Sequence, residues 1–357
     1  MFLSRVLGCF AVGLLALSTP ACASVARDTG VVDGAVVVFE RSGASVQSLN
    51  GRTGKPIATW SHDRQGSTQT VVGSSVTGRP LVISHGLAGV AVHDAHTGEV
   101  SQRINMRVHP EDRPCLSRTA MFLPAWTEAT GTPWNAVRSE DEPGAWIGFD
   151  LRTGKRTLNV RSDRYAPLVA NDDVLSTMEN GALVGYSAED GRERWRSQVV
   201  VVAPVAVSGN HLLVELPEDK LGIFVASSGA LERTLEPGSS TFGAGLGGAP
   251  NLRASKGFAG VLTDDGLSVI KLATGQSVFK ETDARAFSFA GDRLIVLTST
   301  EVRALELASG SVKWKNPMTD VTSLSSDSDL TVIGASAGLT IFDTQTGKKV
   351  LDQAAAP

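Results

Sequence analysis

Residues 302–314 read Val302-Arg303-Ala304-Leu305-Glu306-Leu307-Ala308-Ser309-Gly310-Ser311-Val312-Lys313-Trp314. Alternating apolar residues lead into Ser-Gly, and a short apolar run ending in an aromatic leads out. Two such runs around a glycine describe a β-hairpin, with the glycine supplying the positive φ that its turn needs. The phrase recurs along the whole chain. Its turn glycines are Gly54, Gly98, Gly154, Gly191, Gly229, Gly275, Gly310 and Gly347, separated by 44, 56, 37, 38, 46, 35 and 37 residues. A period of about 40 residues built from strands and turns predicts a β-propeller with one blade per repeat. The expected fold is therefore all-β, an eight-bladed propeller of four-stranded antiparallel blades, with no helical period of useful length in the way.

A length of 357 residues by itself suggests two domains. The repeat overrides that expectation, because a blade cannot bury its faces alone and the set must close into one ring. One propeller domain is thus expected over 35–357. Its 37 glycines suit a fold in which every blade needs several tight turns. The net charge of −4 and the lack of a Lys/Arg cluster exclude the basic face that nucleic acid requires.

Residues 1–23 read as a secretory signal. Arg5 is the positive start, and 6–17 form an apolar stretch too short to span a bilayer. Two cleavage readings compete. Ala21-Cys22-Ala23 is an A-x-A site that releases a soluble chain at Ser24. Thr19-Pro20-Ala21-Cys22 resembles a bacterial lipobox, which makes Cys22 the lipidated first residue, and a lone cysteine at the end of the apolar stretch favours it. Either way the chain is expected to be exported, lipid-anchored in the cell envelope or free in the periplasm or outside. Cys9 leaves with the signal, and Cys115 then has no disulfide partner. It reads as a small packed residue; His109 is near in sequence, but nothing fixes the geometry of a nucleophile and base.

Residues 24–34 read as a linker, flexible or contributing an outer strand that helps close the ring. Each repeat then runs strand, turn, strand, glycine turn, strand. The third repeat is irregular: a strand near Met121-Phe122-Leu123 is followed only at Ala145 by the next. An insertion is expected at about 103–144, with Pro110, Pro114, Pro124, Pro133 and Pro143 and with Trp126 and Trp134. A long loop carrying its own aromatics on a regular scaffold reads as a contact surface or as packing over the rim.

The turn phrase resembles the tryptophan-docking repeat, Ala-x-Asp-x-x-Thr-Gly-Lys-x-x-Trp, of the pyrroloquinoline quinone (PQQ)-type eight-bladed propellers. Asn50, Asp94, Asp150, Glu306 and Asp343 match the polar residue four places before the glycine. Four places after it, Trp195 and Trp314 match the docking ring, Phe279 stands in for it, and Leu158 and Leu351 keep only its apolar character. Gln102 and Arg233 break the pattern, and in the first repeat the aromatic slips to Trp60. The resemblance covers about 35–351. It implies that each ring wedges against the glycine turn of the neighbouring blade, where a missing Cβ leaves room.

Two branches of that family are relevant. Quinoprotein dehydrogenases hold PQQ and calcium in the central funnel, with an adjacent pair of cysteines on the quinone; this chain has no such pair. The other branch, which includes the propeller lipoprotein of the outer-membrane β-barrel assembly machinery, has no cofactor and serves as an exported binding platform. The chain is similar to that second branch in length, signal and repeat quality. The expectation is a non-catalytic, monomeric envelope scaffold without cofactor or metal, whose partners are envelope proteins held through Trp126 and Trp134. A PQQ- or metal-dependent quinoprotein-type oxidoreductase, or another propeller enzyme, is the alternative.

Other motifs weigh little. His93-x-x-His96 reads as solvated turn histidines without a third ligand. Gly243-Ala244-Gly245-Leu246-Gly247-Gly248 reads as a loop, because no helix follows to aim amides at a phosphate. Asp264-Asp265-Gly266 and Asp327-Ser328-Asp329 are turn signatures short of a calcium ligand set. Glu140-Asp141-Glu142 reads as a solvated tip that could steer a basic partner.

Overall fold

The structure, a computed structural model, describes residues 27–32, 35–40, 45–61, 69–74, 80–86, 89–106, 114–117, 119–126, 144–163, 166–236, 252–336 and 338–354. Among them are 32 strands and no helix, arranged as eight four-stranded antiparallel sheets. Every sheet takes its four strands in sequence order. The blades span 27–61, 69–104, 115–162, 169–196, 203–235, 252–281, 284–317 and 321–354. The first strands of neighbouring blades lie beside one another, which makes them the inner strands around the ring axis.

The strand sequences follow from burial on two sides. In the second strand of blade 1, Ala35–Glu40, Val36 faces blade 8 while Ala35 and Val37 face blade 2. A strand covered on both faces reads as a continuous apolar run rather than an alternation. The hydrophobic core is accordingly divided into eight clusters, one astride each joint between blades.

The ring shuts without exchange of strands. Val31, Val36, Val38 and Leu49 of blade 1 pack on Leu330, Val332, Leu339 and Ile341 of blade 8. Two expectations are corrected here. Residues 27–32, read as part of a linker or an outer strand, form Arg27–Val32, the inner strand of blade 1, which lies against the first two strands of blade 8. The strand read near Met121-Phe122-Leu123 is present as Ala120–Trp126, with those three residues fully buried, but the expected insertion at 103–144 also holds an unexpected strand of blade 3, Cys115–Leu116. The added length after those strands is 127–143, which with Trp134 and Glu140-Asp141-Glu142 lies outside the described residues, as do 1–23 with Cys22 and the run Gly243–Gly248. A two-residue strand gives too little period to separate it from a loop in sequence.

Candidate functional site

Alternating strand directions give the ring two ends. One end carries the turn between the first two strands and the glycine turn of every blade; the other carries the remaining connections. At the glycine turns, Gly54, Gly98, Gly154, Gly191, Gly229, Gly275, Gly310 and Gly347 hold φ between +67° and +74°. Each donates its N–H to the carbonyl four residues back, as Gly347 does to Asp343 at 2.8 Å. Where that residue is Asn50, Asp94, Asp150 or Asp343, its side chain also accepts turn amides. Against the opposing effect of burial, the Thr346 hydroxyl first and the turn amides after it hold the Asp343 carboxyl below the usual carboxylate range.

The strand pair that follows each turn carries a β-bulge in all eight blades. A bulge re-aims the next side chain. Here it sends the residue four places after the glycine onto the glycine turn of the following blade: Ala58 onto Gly98, Gln102 onto Gly154, Leu158 onto Gly191, Trp195 onto Gly229, Arg233 onto Gly275, Phe279 onto Gly310, Trp314 onto Gly347, and Leu351 across the closure onto Gly54. Trp195 Nε1 donates to the Ala226 carbonyl and Trp314 Nε1 to the Thr344 carbonyl, both at 2.8 Å. Both acceptors stand three residues before the glycine.

Gln102 and Arg233, which break the sequence pattern, keep its geometry. Gln102 Nε2 donates to the Leu151 carbonyl, again three residues before the glycine, and the Arg233 guanidinium donates to the Ala273 and Thr274 carbonyls. The turn offers a carbonyl as well as a gap, so a polar side chain of sufficient reach can dock. These residues and glycines hold neighbouring blades together.

The opposite end carries the loops. The connection from blade 4 to blade 5, 197–202, is held by Ser197 N–H to the Leu183 carbonyl (2.9 Å) and Val202 N–H to the Glu215 carbonyl (2.8 Å). Val201 is buried in the joint, while Val200 is 74% and Val202 50% exposed. A fixed loop thus presents two valines to solvent. Beside it is the turn Glu218-Asp219 of blade 5, with positive φ at both residues (64° and 56°). That conformation suits Asn-Gly and is strained for Glu-Asp.

The charges around the loop are mostly spoken for. Glu179 and Glu193 clamp the Arg196 guanidinium, and Lys220 lies 2.8 Å from Glu218, which holds the Glu218 carboxyl low. Burial, with the Asp219 charge second, pushes the Glu215 carboxyl up. The patch is therefore apolar with an acidic margin.

Trp126 ends the second strand of blade 3 opposite Gly144, at this same end of the ring; segment 127–143 leaves from there. Sequence reading passed over Val200 and Val202. Its only signal is a run of four valines, 199–202, between strands, and such a run looks the same whether it faces solvent or core. His93, read as solvated, is 6% exposed and stacked on Trp60, whereas His96 is exposed. Cys115 packs at the joint of blades 3 and 4, where burial pushes its thiol up to about 12. Among the described residues no three His, Cys, Asp or Glu side chains gather to hold a metal ion. The sequence holds no adjacent pair of cysteines of the kind expected on a quinone.

One protein-family model, described as outer membrane protein assembly factor BamB, matches residues 124–353. No curated protein matches the chain. Among solved structures, the computationally designed protein Ika8 is 16% identical with a TM-score of 0.63, covering 90% of this chain and 96% of its own. The dihydro-heme d1 dehydrogenase NirN is 14% identical with a TM-score of 0.63, over 91% of this chain and 74% of its own. BamB from Moraxella catarrhalis is 14% identical with a TM-score of 0.39, over 92% and 87%. At such identities a structural likeness shows the fold alone.

Proposed function

The chain belongs to the family described as outer membrane protein assembly factor BamB, and from that premise we propose that it is an exported, non-catalytic propeller that holds another protein of the cell envelope. The observation that carries this reading is the pair Val200 and Val202, exposed on a loop whose backbone is fixed at both ends. Rigid apolar side chains cost little entropy to bury and make efficient contact anchors. The Asp219 carboxylate, in the strained turn beside the loop, favours a partner segment with a cation beside an apolar side chain. In this reading Trp126 and Trp134 add aromatic anchors to the contact. In this reading residues 1–23 direct export, and Cys22 carries the lipid that keeps the propeller at the membrane.

A photo-crosslinking residue at position 200, in the native envelope, is expected to trap one discrete partner, and the same residue at the edge-strand position 312 is not. Val200→Asp with Val202→Asp should weaken the isolated pair more than tenfold, because each valine buries about 1.5–3 kcal/mol of apolar surface. Its melting temperature should stay unchanged, since surface positions rarely move stability by more than about 0.5 kcal/mol. Equal trapping at 200 and 312 would discard this loop as the site. Intact mass of the mature chain is expected to give a lipidated Cys22 start; a start at Ser24 without added mass would remove the anchor and leave the export.

A further inference from the structure

The eight blades are eight internal versions of one design, and one of them carries a proton-binding group at a core position. Directly after the bulge, on the third strand, stand Leu49, Phe149, Tyr186, Phe224, Ile270, Leu305 and Phe342 in seven blades and His93 in blade 2. His93 is 6% exposed, and its imidazole lies flat against Trp60 of blade 1 with ring centroids 5.0 Å apart at 18°. Phe342 meets Trp314 at 5.9 Å and 26° across the joint of blades 7 and 8. The histidine thus occupies the place where a docked tryptophan elsewhere meets a phenyl ring.

The joint of blades 1 and 2 is also the least regular in its docking. Ala58 stands where the docking side chain belongs, and Trp60 reaches Gly98 only with its ring edge, at 3.3 Å from a Cβ built there. The Ala95 carbonyl, which in the tryptophan joints accepts from the indole, here accepts from Ser48. The buried Nε1 of Trp60 has no partner among the described residues.

We propose that the joint between blades 1 and 2 is an acid-operated weak point of the ring, where uptake of a proton by His93 releases Trp60 and this joint opens before the others. The neutral ring is satisfied: Nδ1–H donates to the Gly98 carbonyl (3.4 Å), and the Ser84 hydroxyl (3.1 Å) donates to Nε2. A proton on Nε2 makes both nitrogens donors. Ser84 must then turn its own hydrogen to the Ala91 carbonyl, 3.5 Å away. The new charge is buried, and Arg103, on the fourth strand of the blade, opposes it. The face of Trp60 offsets only part of this cost. From the other packed elements Trp60 and Ser84 face the ring without charge, and the Asp94 carboxylate is occupied by the His96 and Thr97 amides.

Burial holds the His93 pKa below its ordinary 6.5. The folded chain then binds fewer protons than the unfolded one, so its stability is full above about pH 6.5 and falls as pH drops below that value. Hydrogen exchange, corrected for intrinsic rates, tests this on the full chain at pH 7.5 and 5.0. Protection of peptides from 45–61 and 80–104 is expected to fall at least tenfold more than that of peptides from 193–236, which hold the Trp195 joint. In His93→Phe, the residue blade 8 uses, that difference should vanish. Parallel loss at both joints, or an unchanged difference in His93→Phe, would overturn the proposal. Should that variant not fold, the His93 ring titrated by NMR in the unaltered chain decides: a midpoint at or above 6.5 sinks it.

Discussion

Trp195→Ala is expected to lower the unfolding free energy by about 3–5 kcal/mol, measured by urea denaturation. Trp195 is 9% exposed, lies between Gly185 of its own blade and Gly229 of the next, and donates to the Ala226 carbonyl. Removing the indole empties the space between two glycines that have no side chains to collapse into it. It also strips the buried Ala226 carbonyl of this donor. Because a blade is held mainly by its neighbours, the loss falls on the joint of blades 4 and 5, and exchange there should rise before exchange in blade 7. Gln102→Ala, at a joint docked by a polar side chain, should cost clearly less. A Trp195→Ala loss below about 1 kcal/mol would mean that the docking ring is not what joins those blades.

Gly229→Val is expected to prevent folding at 37 °C or to cost more than Trp195→Ala. Its φ of +69° is disfavoured for any residue with a Cβ, and a Cβ built there lies 2.2 Å from Trp195 Cε3, far inside van der Waals contact. The two penalties separate in the background of Trp195→Ala. With the indole gone the clash disappears, and only the backbone cost of about 1–2 kcal/mol remains. A cycle of the single and double variants should therefore show strong coupling between positions 195 and 229. Additive effects would place the indole somewhere other than on that glycine.

The same pair shows how far the sequence could be read. The spacing of the glycines gives the blade number and the register, because a turn with positive φ every 40 residues or so leaves few other folds. Trp195 and Trp314 could be matched to their turns by counting four residues. Their counterparts were harder. Gly185 and Ala304, opposite the two indoles on the neighbouring strand, are small to make room for the rings. Ile223 and Ile341 stand opposite the slimmer Arg233 and Leu351. That compensation is visible in sequence only once the bulge tells which residues face each other.

The candidate site was barely legible. Val200 and Val202 belong to a run of four valines, and a valine run reads as core. Trp126 and Trp134 stood out by type, and a strand was legible near Met121-Phe122-Leu123, but not that it runs on to Trp126 nor that Cys115–Leu116 precedes it as a strand. His93 sits one residue before a polar turn and read as part of it, but the strand carries its ring into the joint with Trp60.

The sequence by itself determined an all-β ring of eight blades and the place of each glycine turn, because backbone conformation at a turn is a local demand that only glycine meets cheaply. The tertiary structure alone decided that Gln102 and Arg233 dock like the tryptophans, that Val200 faces solvent and that His93 does not. Strands covered on both faces carry no polar alternation to mark inside from outside, so exposure there depends on which blade stands next to which.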